Sequence, residues 1–273
     1  MPGVDKLYGE EIRGCIIADK DCSFLGCDLT NIEDKTKRHY IFKYDPDYVN
    51  TMNIPGYDAH LEIAMLGGYL KQEDIDFYKE TDKYLENCQI NGETVLLSEE
   101  DKARYKSIKK IRQKAKVTNF SCTYKVGAPT LSRNMGAPEK EAKSFIDVFW
   151  KRNKAILQIE KDTVVRKING DMWLQNPMNM FWYSLRNEKD IFSTLNQGSA
   201  VYCFDVFLGF VKKEKLKVPF QYHDEFLANV LKTSEQEARE KVVKAMQKTN
   251  DFLKLNVELG CSIQYGQKYS DCH

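Results

Sequence analysis

The stretch Ile111-Arg-Gln-Lys-Ala-Lys-Val-Thr-Asn-Phe-Ser-Cys-Thr-Tyr-Lys-Val-Gly127 spaces Arg112, Lys116, Phe120 and Tyr124 four residues apart. On a helix each residue turns about 100° and rises about 1.5 Å, so a step of four overshoots one turn by roughly 40°. The four side chains therefore wind slowly over one face, with about 18 Å between the two ends. One end carries two cations and the other two aromatic rings. That polarity suits an elongated ligand with anionic oxygens at one end and a flat base at the other, as in a nucleoside triphosphate. Taken alone, the stripe would equally serve a kinase-like nucleotide binder or ordinary packing.

Upstream of the stripe the helix is basic: eight of the fifteen residues from Lys102 to Lys116 are Lys or Arg. Such a run is in the first place a solvated face, although a local basic cluster could also supply attraction to nucleic acid. The helix is expected over about 99–125, ended by Gly127-Ala-Pro129. Two helices broken near Gly67-Gly68 are expected over 58–90, with a turn at Asn91-Gly92. Pro138-Glu139 opens another helix, Asn169-Gly170 centres a small hairpin, and a helix follows over about 187–212.

Both ends of the chain read as β-structure. Cys15-Ile-Ile-Ala18 and Phe24-Leu-Gly-Cys27, separated by polar residues, predict a hairpin whose second strand ends at Asp28, followed by a helix over 31–41. Val218-Pro-Phe-Gln-Tyr222 and Phe226-Leu227 flank His223-Asp224-Glu225 as a hairpin with acids at its tip. Ser234 and Glu237 read as a capping box. The alternation from Leu255 to Tyr265 reads as one half-buried strand.

The chain has 273 residues, 42% hydrophobic and 30% charged, with a net charge of +1, which describes a globular chain without global attraction to nucleic acid. Its eight cysteines form no CxxC pair and have no histidine partners at zinc spacing, so reduced thiols in a cytoplasmic setting are expected. There is no signal-peptide-like start and no apolar run near the ~20 residues that span a membrane. His39 and His60 are expected to sit in local hydrogen bonds.

Asp28 and Glu33 stand five residues apart across a strand-to-helix junction. By themselves they read as a helix start with an acidic first turn. Together with Asp224, however, they place a carboxylate at the ends of two strands, which is what two-metal phosphoryl transfer needs.

The order of these features resembles the family A DNA polymerases, the group of bacterial DNA polymerase I and the T7-like phage replicases. Asp28-Leu-Thr-Asn-Ile-Glu33 resembles motif A, the Arg112–Tyr124 stripe motif B, and His223-Asp224-Glu225 motif C. Leu195-Asn-Gln-Gly-Ser-Ala200 resembles the glutamine-bearing helix after the fingers, and Tyr265 to His273 the family's C-terminus.

The resemblance implies an α/β right-hand polymerase core, with an antiparallel palm sheet, a helical fingers insertion, and no thumb or exonuclease domain. Residues 1–45 and 186–273 would form the palm and 46–185 the fingers. It further implies that Asp28, the Leu29 carbonyl, Asp224 and Glu225 ligate two Mg²⁺ ions. Arg112 and Lys116 would hold the triphosphate of a dNTP, with Lys116 also a proton donor to the leaving pyrophosphate. Phe120 would pack on the sugar, Tyr124 would stack near the templating base, and Glu33 would exclude a ribose 2′-hydroxyl. His223 and Gln197 would touch primer-template DNA.

The sequence departs from the family at Lys125, where Gly is usual, and at Ser193 and Lys189, where Asn and Arg are usual. Only 27 residues precede Asp28. The resemblance thus implies a palm-fingers subunit of a split, phage-type polymerase working with a second chain that carries thumb and exonuclease domains, or a fragment. Two rival readings are a degenerate fragment that only binds nucleic acid or a partner, and a single-subunit RNA polymerase relative. Glu33, and an acid after Asp224 where those RNA polymerases place Ser, argue against the latter.

Overall fold

The computed structural model describes residues 2–4 and 6–272; His273, the last residue of the C-terminal resemblance, lies outside them. In chain order the elements are α1 (Gly9–Gly14), β1 (Cys22–Leu29), α2 (Ile32–Phe42), α3 (Pro46–Met52), α4 (Ala59–Leu66), α5 (Gln72–Asn91), α6 (Glu99–Thr123), α7 (Ala128–Met135), α8 (Glu139–Arg152), α9 (Lys154–Asp162), β2 (Val165–Ile168), β3 (Asp171–Gln175), β4 (Trp182–Leu185), α10 (Ile191–Lys213), β5 (Phe220–Tyr222), β6 (Glu225–Leu231), α11 (Glu235–Leu253) and β7 (Cys261–Gly266). They divide into two compact units, one of Met1–Lys43, Thr163–Ser184 and Thr194–His273, the other of Tyr44–Asp162 and Leu185–Ser193.

The first unit is built on an antiparallel sheet of order β5-β6-β1-β7. Central β1 is buried on both faces, so its sequence runs apolar instead of alternating. Leu25, Cys27 and Leu29 pack with Phe226, Ala228 and Val230 against Cys203, Phe204 and Phe207 of α10 and Val242 and Ala245 of α11. On the other face Phe24 and Leu227 meet Ala18, Tyr269 and Cys272. A Cβ on Gly26 would stand 2.6 Å from Cys272 Cβ. Gly26→Ala should therefore lower stability by about 1–3 kcal/mol, read as a lower denaturant midpoint at unchanged slope.

The hairpin expected over residues 14–29 is not formed. Ile17 makes only an isolated bridge to Lys268. The Ala18 amide donates to the Gln267 carbonyl at 2.9 Å, and the Tyr269 amide to the Ile16 carbonyl at 2.9 Å. The first apolar run thus lies along the C-terminal segment, and β1 takes its partners from distant sequence. The expected strand from Leu255 is likewise shorter. Val257 and Leu259 are buried as loop residues, the latter clamped by Asn250, whose side chain meets both its amide and its carbonyl. Nor does Ser234 cap α11. Glu237 instead pairs with Lys241 at 2.7 Å. The smaller sheet, β2-β3-β4, turns at Asn169-Gly170, both with positive φ, as a two-residue hairpin of this kind requires.

The second unit is helical. Leu61, Ile63 and Ala64 of α4, Ile75 and Tyr78 of α5, Ile108 and Ala115 of α6 and Phe145 of α8 form its core. Stacked rings, Tyr69 on Phe145 at 4.3 Å and Tyr78 on Tyr105 at 5.1 Å, join the layers. Among the described residues no helix is long and apolar enough to cross a membrane, and all eight cysteines are free thiols.

Candidate active site

The hairpin carrying His223 and Asp224 is the tightest the backbone allows. Tyr222 pairs with Glu225, leaving two residues in the turn. Such turns need a positive φ that Gly or Asn normally supplies, and here His223 adopts it at 53°. Backbone held in a sparsely populated region is characteristic of functional positions.

Antiparallel pairing sets Asp28 opposite Glu225, and the Leu29 amide donates to the Asp224 carbonyl at 3.1 Å. Asp28, Leu29, His223, Asp224 and Glu225 thus meet at one end of the sheet. Asp28 reaches solvent. Even so, the surrounding sheet, and to a smaller degree the charge of Asp224, pushes its carboxyl up to about 6. Burial likewise pushes Glu225 up to about 7, against the pull of Arg13 and with the added repulsion of Asp28 and Asp224. Neighbouring carboxylates that resist joint ionisation are a donor set suited to a cation.

Among the described residues no three His, Cys, Asp or Glu side chains gather closely enough to hold a metal by themselves. Mg²⁺, however, takes only one or two protein carboxylates and completes its shell with water and substrate phosphates. Asp28 with Asp224 fits that pattern. Glu225 is engaged elsewhere: Tyr269 donates its hydroxyl to it and the Arg13 guanidinium lies 3.5 Å away, itself 4.5 Å from the Tyr269 ring centroid. Sequence alone does not reveal this clamp. Arg13 stands alone in a short polar helix, and no spacing links it to residue 225.

Glu33 stands exposed in the first turn of α2, four residues beyond the end of β1. Gln197 is exposed on α10.

The cationic-aromatic stripe belongs to the second unit. Its roughly 40° drift per step is visible in its exposure. Ile108, Ala115, Thr118 and Cys122 form the buried face of α6; Arg112 is half-buried beside it, and Lys116 and Phe120 stand exposed. Tyr124 is the C-cap residue, one position beyond the helix. Arg112 Nε donates to Asp58 at 2.7 Å. Asp58 in turn caps α4 through the His60 and Leu61 amides. Burial opposes ionisation of Asp58, but the Leu61 amide and Arg112 hold its carboxyl below the usual range. His60 Nδ1 lies 2.7 Å from Asn119 Nδ2, and its ring centroid 6.2 Å from that of Phe120. His39 is bonded to Asn256 at 3.2 Å. Both histidines are in hydrogen bonds, as expected, but with partners remote in sequence and not local ones, and His60 also borders the stripe, a placement that sequence spacing does not reveal.

Lys125, where the resembling family has Gly, adopts φ 50°. That is the left-handed region, which glycine adopts more readily than lysine. Its Nζ is 2.5 Å from Glu160 Oε2, while the buried Glu160 Oε1 has no hydrogen-bond partner.

No protein-family model matches the chain. No curated protein matches it either. A solved structure does: the POL domain of Pol1 from M. smegmatis, in complex with DNA primer-template and dNTP, aligns with a TM-score of 0.66 at 17% identity over 99% of this chain and 44% of that one. The chain thus spans less than half the length of that polymerase chain, and nearly all of it takes up the fold of a polymerase domain.

Proposed function

We propose that this chain catalyses template-directed DNA synthesis, transferring a nucleotide from a dNTP to a primer 3′-hydroxyl, as the palm and fingers of a family A DNA polymerase. The observation that carries this reading is the meeting of Asp28 and Asp224 at adjoining strand ends within a fold similar to a polymerase domain. In this reading residues 1–45 and 186–273 are the palm and 46–185 the fingers; the compact units divide differently, with 163–184 in the first and 185–193 in the second.

Asp28 and Asp224, with the Leu29 carbonyl, would hold two Mg²⁺ ions; Glu225, clamped by Arg13 and Tyr269, supports the hairpin and would be the remaining carboxylate available to them. When bound, the ions activate the 3′-hydroxyl and neutralise charge on the departing pyrophosphate. Lys116 and Arg112 bind the triphosphate, and Lys116 is placed to give a proton to the leaving group. For Arg112 this means sharing or exchanging its bond to Asp58. Phe120 packs on the sugar and Tyr124 stacks beside the templating base. His223 faces the primer end. Gln197 donates to minor-groove acceptors, which every base pair presents, so it reads shape and not sequence.

The matched polymerase chain is more than twice as long, and phosphate contacts dominate affinity for duplex DNA. Further protein, on a second chain or elsewhere on the polypeptide, would supply that grip. Extension of a labelled primer with dNTPs and Mg²⁺ tests the function: synthesis abolished by chelation supports it, and no synthesis even with the missing grip supplied would sink it. Glu33→Ala should raise the ratio of ribonucleotide to deoxyribonucleotide kcat/KM by at least about tenfold, ~1.4 kcal/mol. An unchanged ratio removes Glu33 from sugar selection.

A further inference from the structure

Asn196 is 3% exposed and takes no part in the chemistry above. It precedes Gln197 on α10, and both ends of its amide are used. Nδ2 donates to the Glu33 carbonyl at 2.9 Å, and Oδ1 accepts from Thr36 Oγ1 at 2.8 Å. Both partners lie near the start of α2. Its N-cap adds nothing to that start: Asn31 has φ 51° and makes no side-chain cap bond. The Thr30 amide, just before it, donates to the Gly260 carbonyl at 2.9 Å, and within α2 Thr36 Oγ1 also lies 3.1 and 3.2 Å from the Ile32 and Glu33 carbonyls. Asn196 is a buried polar side chain that holds the same turn from outside α2. One turn later Tyr40 continues the same seam, its hydroxyl 2.6 Å from Ser199 Oγ.

Steric rejection of one extra oxygen requires the rejecting side chain to stand on backbone that does not yield, since a shift of about 1 Å would make room for it. We propose that Asn196 is a specificity-determining positioning residue. By pinning the Glu33 carbonyl and Thr36 it holds the Glu33 carboxylate where a ribose 2′-oxygen would come, so its loss admits ribonucleotides. The proposal rests on the reading of Glu33 as the sugar-selecting residue.

The test compares kcat/KM for matched dNTP and rNTP in the wild-type chain, Asn196→Ala, Asn196→Asp, Thr36→Val, Glu33→Ala and the Glu33→Ala/Asn196→Ala double variant. Each is assayed under the conditions in which the wild type extends primers. Asn196→Asp keeps the shape and the acceptor for Thr36, and loses the donor to Glu33 when the new carboxyl is ionised, so it serves, assayed at high pH, if the alanine variant does not fold. The expected result is a ratio shifted about fivefold to tenfold toward rNTP in both Asn196 variants, the scale of one lost hydrogen bond. The dNTP value should stay within about twofold, and no further shift should appear when Glu33 is already alanine. Equal loss for both sugars, or a shift that persists in the Glu33→Ala background, would overturn the proposal and leave Asn196 a structural residue. An unchanged ratio in Glu33→Ala itself would instead remove the sugar-selecting reading of Glu33, and this proposal with it.

Discussion

Primer extension by Asp28→Asn or Asp224→Asn is expected to fall at least about 10³-fold, because metal-assisted stabilisation of the transition state amounts to several kcal/mol. The amide keeps the shape of the carboxylate but loses the charge that holds the cation. Stability should move the other way. Without a cation the two acids repel each other and Asp28 is partly desolvated, so that its carboxyl is raised to about 6. An amide at position 28 removes that repulsion. Because the group is open to solvent, the gain should be only about 1 kcal/mol, seen as a higher denaturation midpoint in chelator at neutral pH. Added Mg²⁺ should raise the wild-type midpoint and leave that of the variant nearly unmoved. Retained activity in either variant would refute the assignment. Lost activity with lost stability would mark the residue as structural instead.

The signals that are legible in the sequence are local ones. The period of α6, the Asn169-Gly170 turn and the acids between two apolar runs all depend on neighbours within a few residues, whereas Gly127-Ala-Pro129, expected to end α6, instead opens α7, α6 having already stopped at Thr123. Where partners are remote, the same local logic misreads. Cys15–Ala18 and Phe24–Cys27 are two apolar runs joined by a polar link, the pattern of a hairpin, yet the first lies against residues 267–269 and the second between β6 and β7. The alternation at Val257 and Leu259 mimics a strand, because burying every second side chain does not require a ladder when Asn250 satisfies the backbone.

The candidate site divides along the same line. Asp28, Asp224 and the stripe announce themselves by charge and spacing. Arg13 and Tyr269 hold Glu225, Asp58 holds Arg112 and Asn196 holds the Glu33 backbone through contacts between residues tens to hundreds of positions apart, and no periodicity encodes such contacts. The groups proposed to face a ligand are therefore visible in the sequence, and most of those that hold their surroundings in place are not.

Lys125 makes a case in which a lysine on left-handed backbone should be stabilising only because of a second residue. Its left-handed backbone costs a non-glycine residue roughly 1–2 kcal/mol. Against this stands the bond to Glu160, whose side chain is 9% exposed. Removing one partner of a fully buried pair costs about 3–5 kcal/mol, because the remaining charge is left without compensation; the Lys125 side chain is 26% exposed, so this pair falls at the low end of that range. Loss of the ion pair still outweighs relief of the backbone strain. Lys125→Gly should therefore lower the stability of the second unit by about 1–2 kcal/mol despite the easier backbone, and Lys125→Met, which keeps the strained φ, by more. Adding Glu160→Gln to Lys125→Gly should recover most of the loss, since an amide replaces the buried charge. Chemical denaturation followed by tryptophan fluorescence reads the series, with Trp150, whose ring centroid is 5.9 Å from Lys125 Nζ, close to the change. If Lys125→Gly alone is more stable than the wild type, backbone strain outweighs the ion pair and the lysine is not held there by Glu160. If the order is as expected, the stop after α6 is a tethered joint, and loss of the tether in the Lys125→Gly/Glu160→Gln chain should raise amide exchange at Lys125–Gly127 while the core of α6 stays protected.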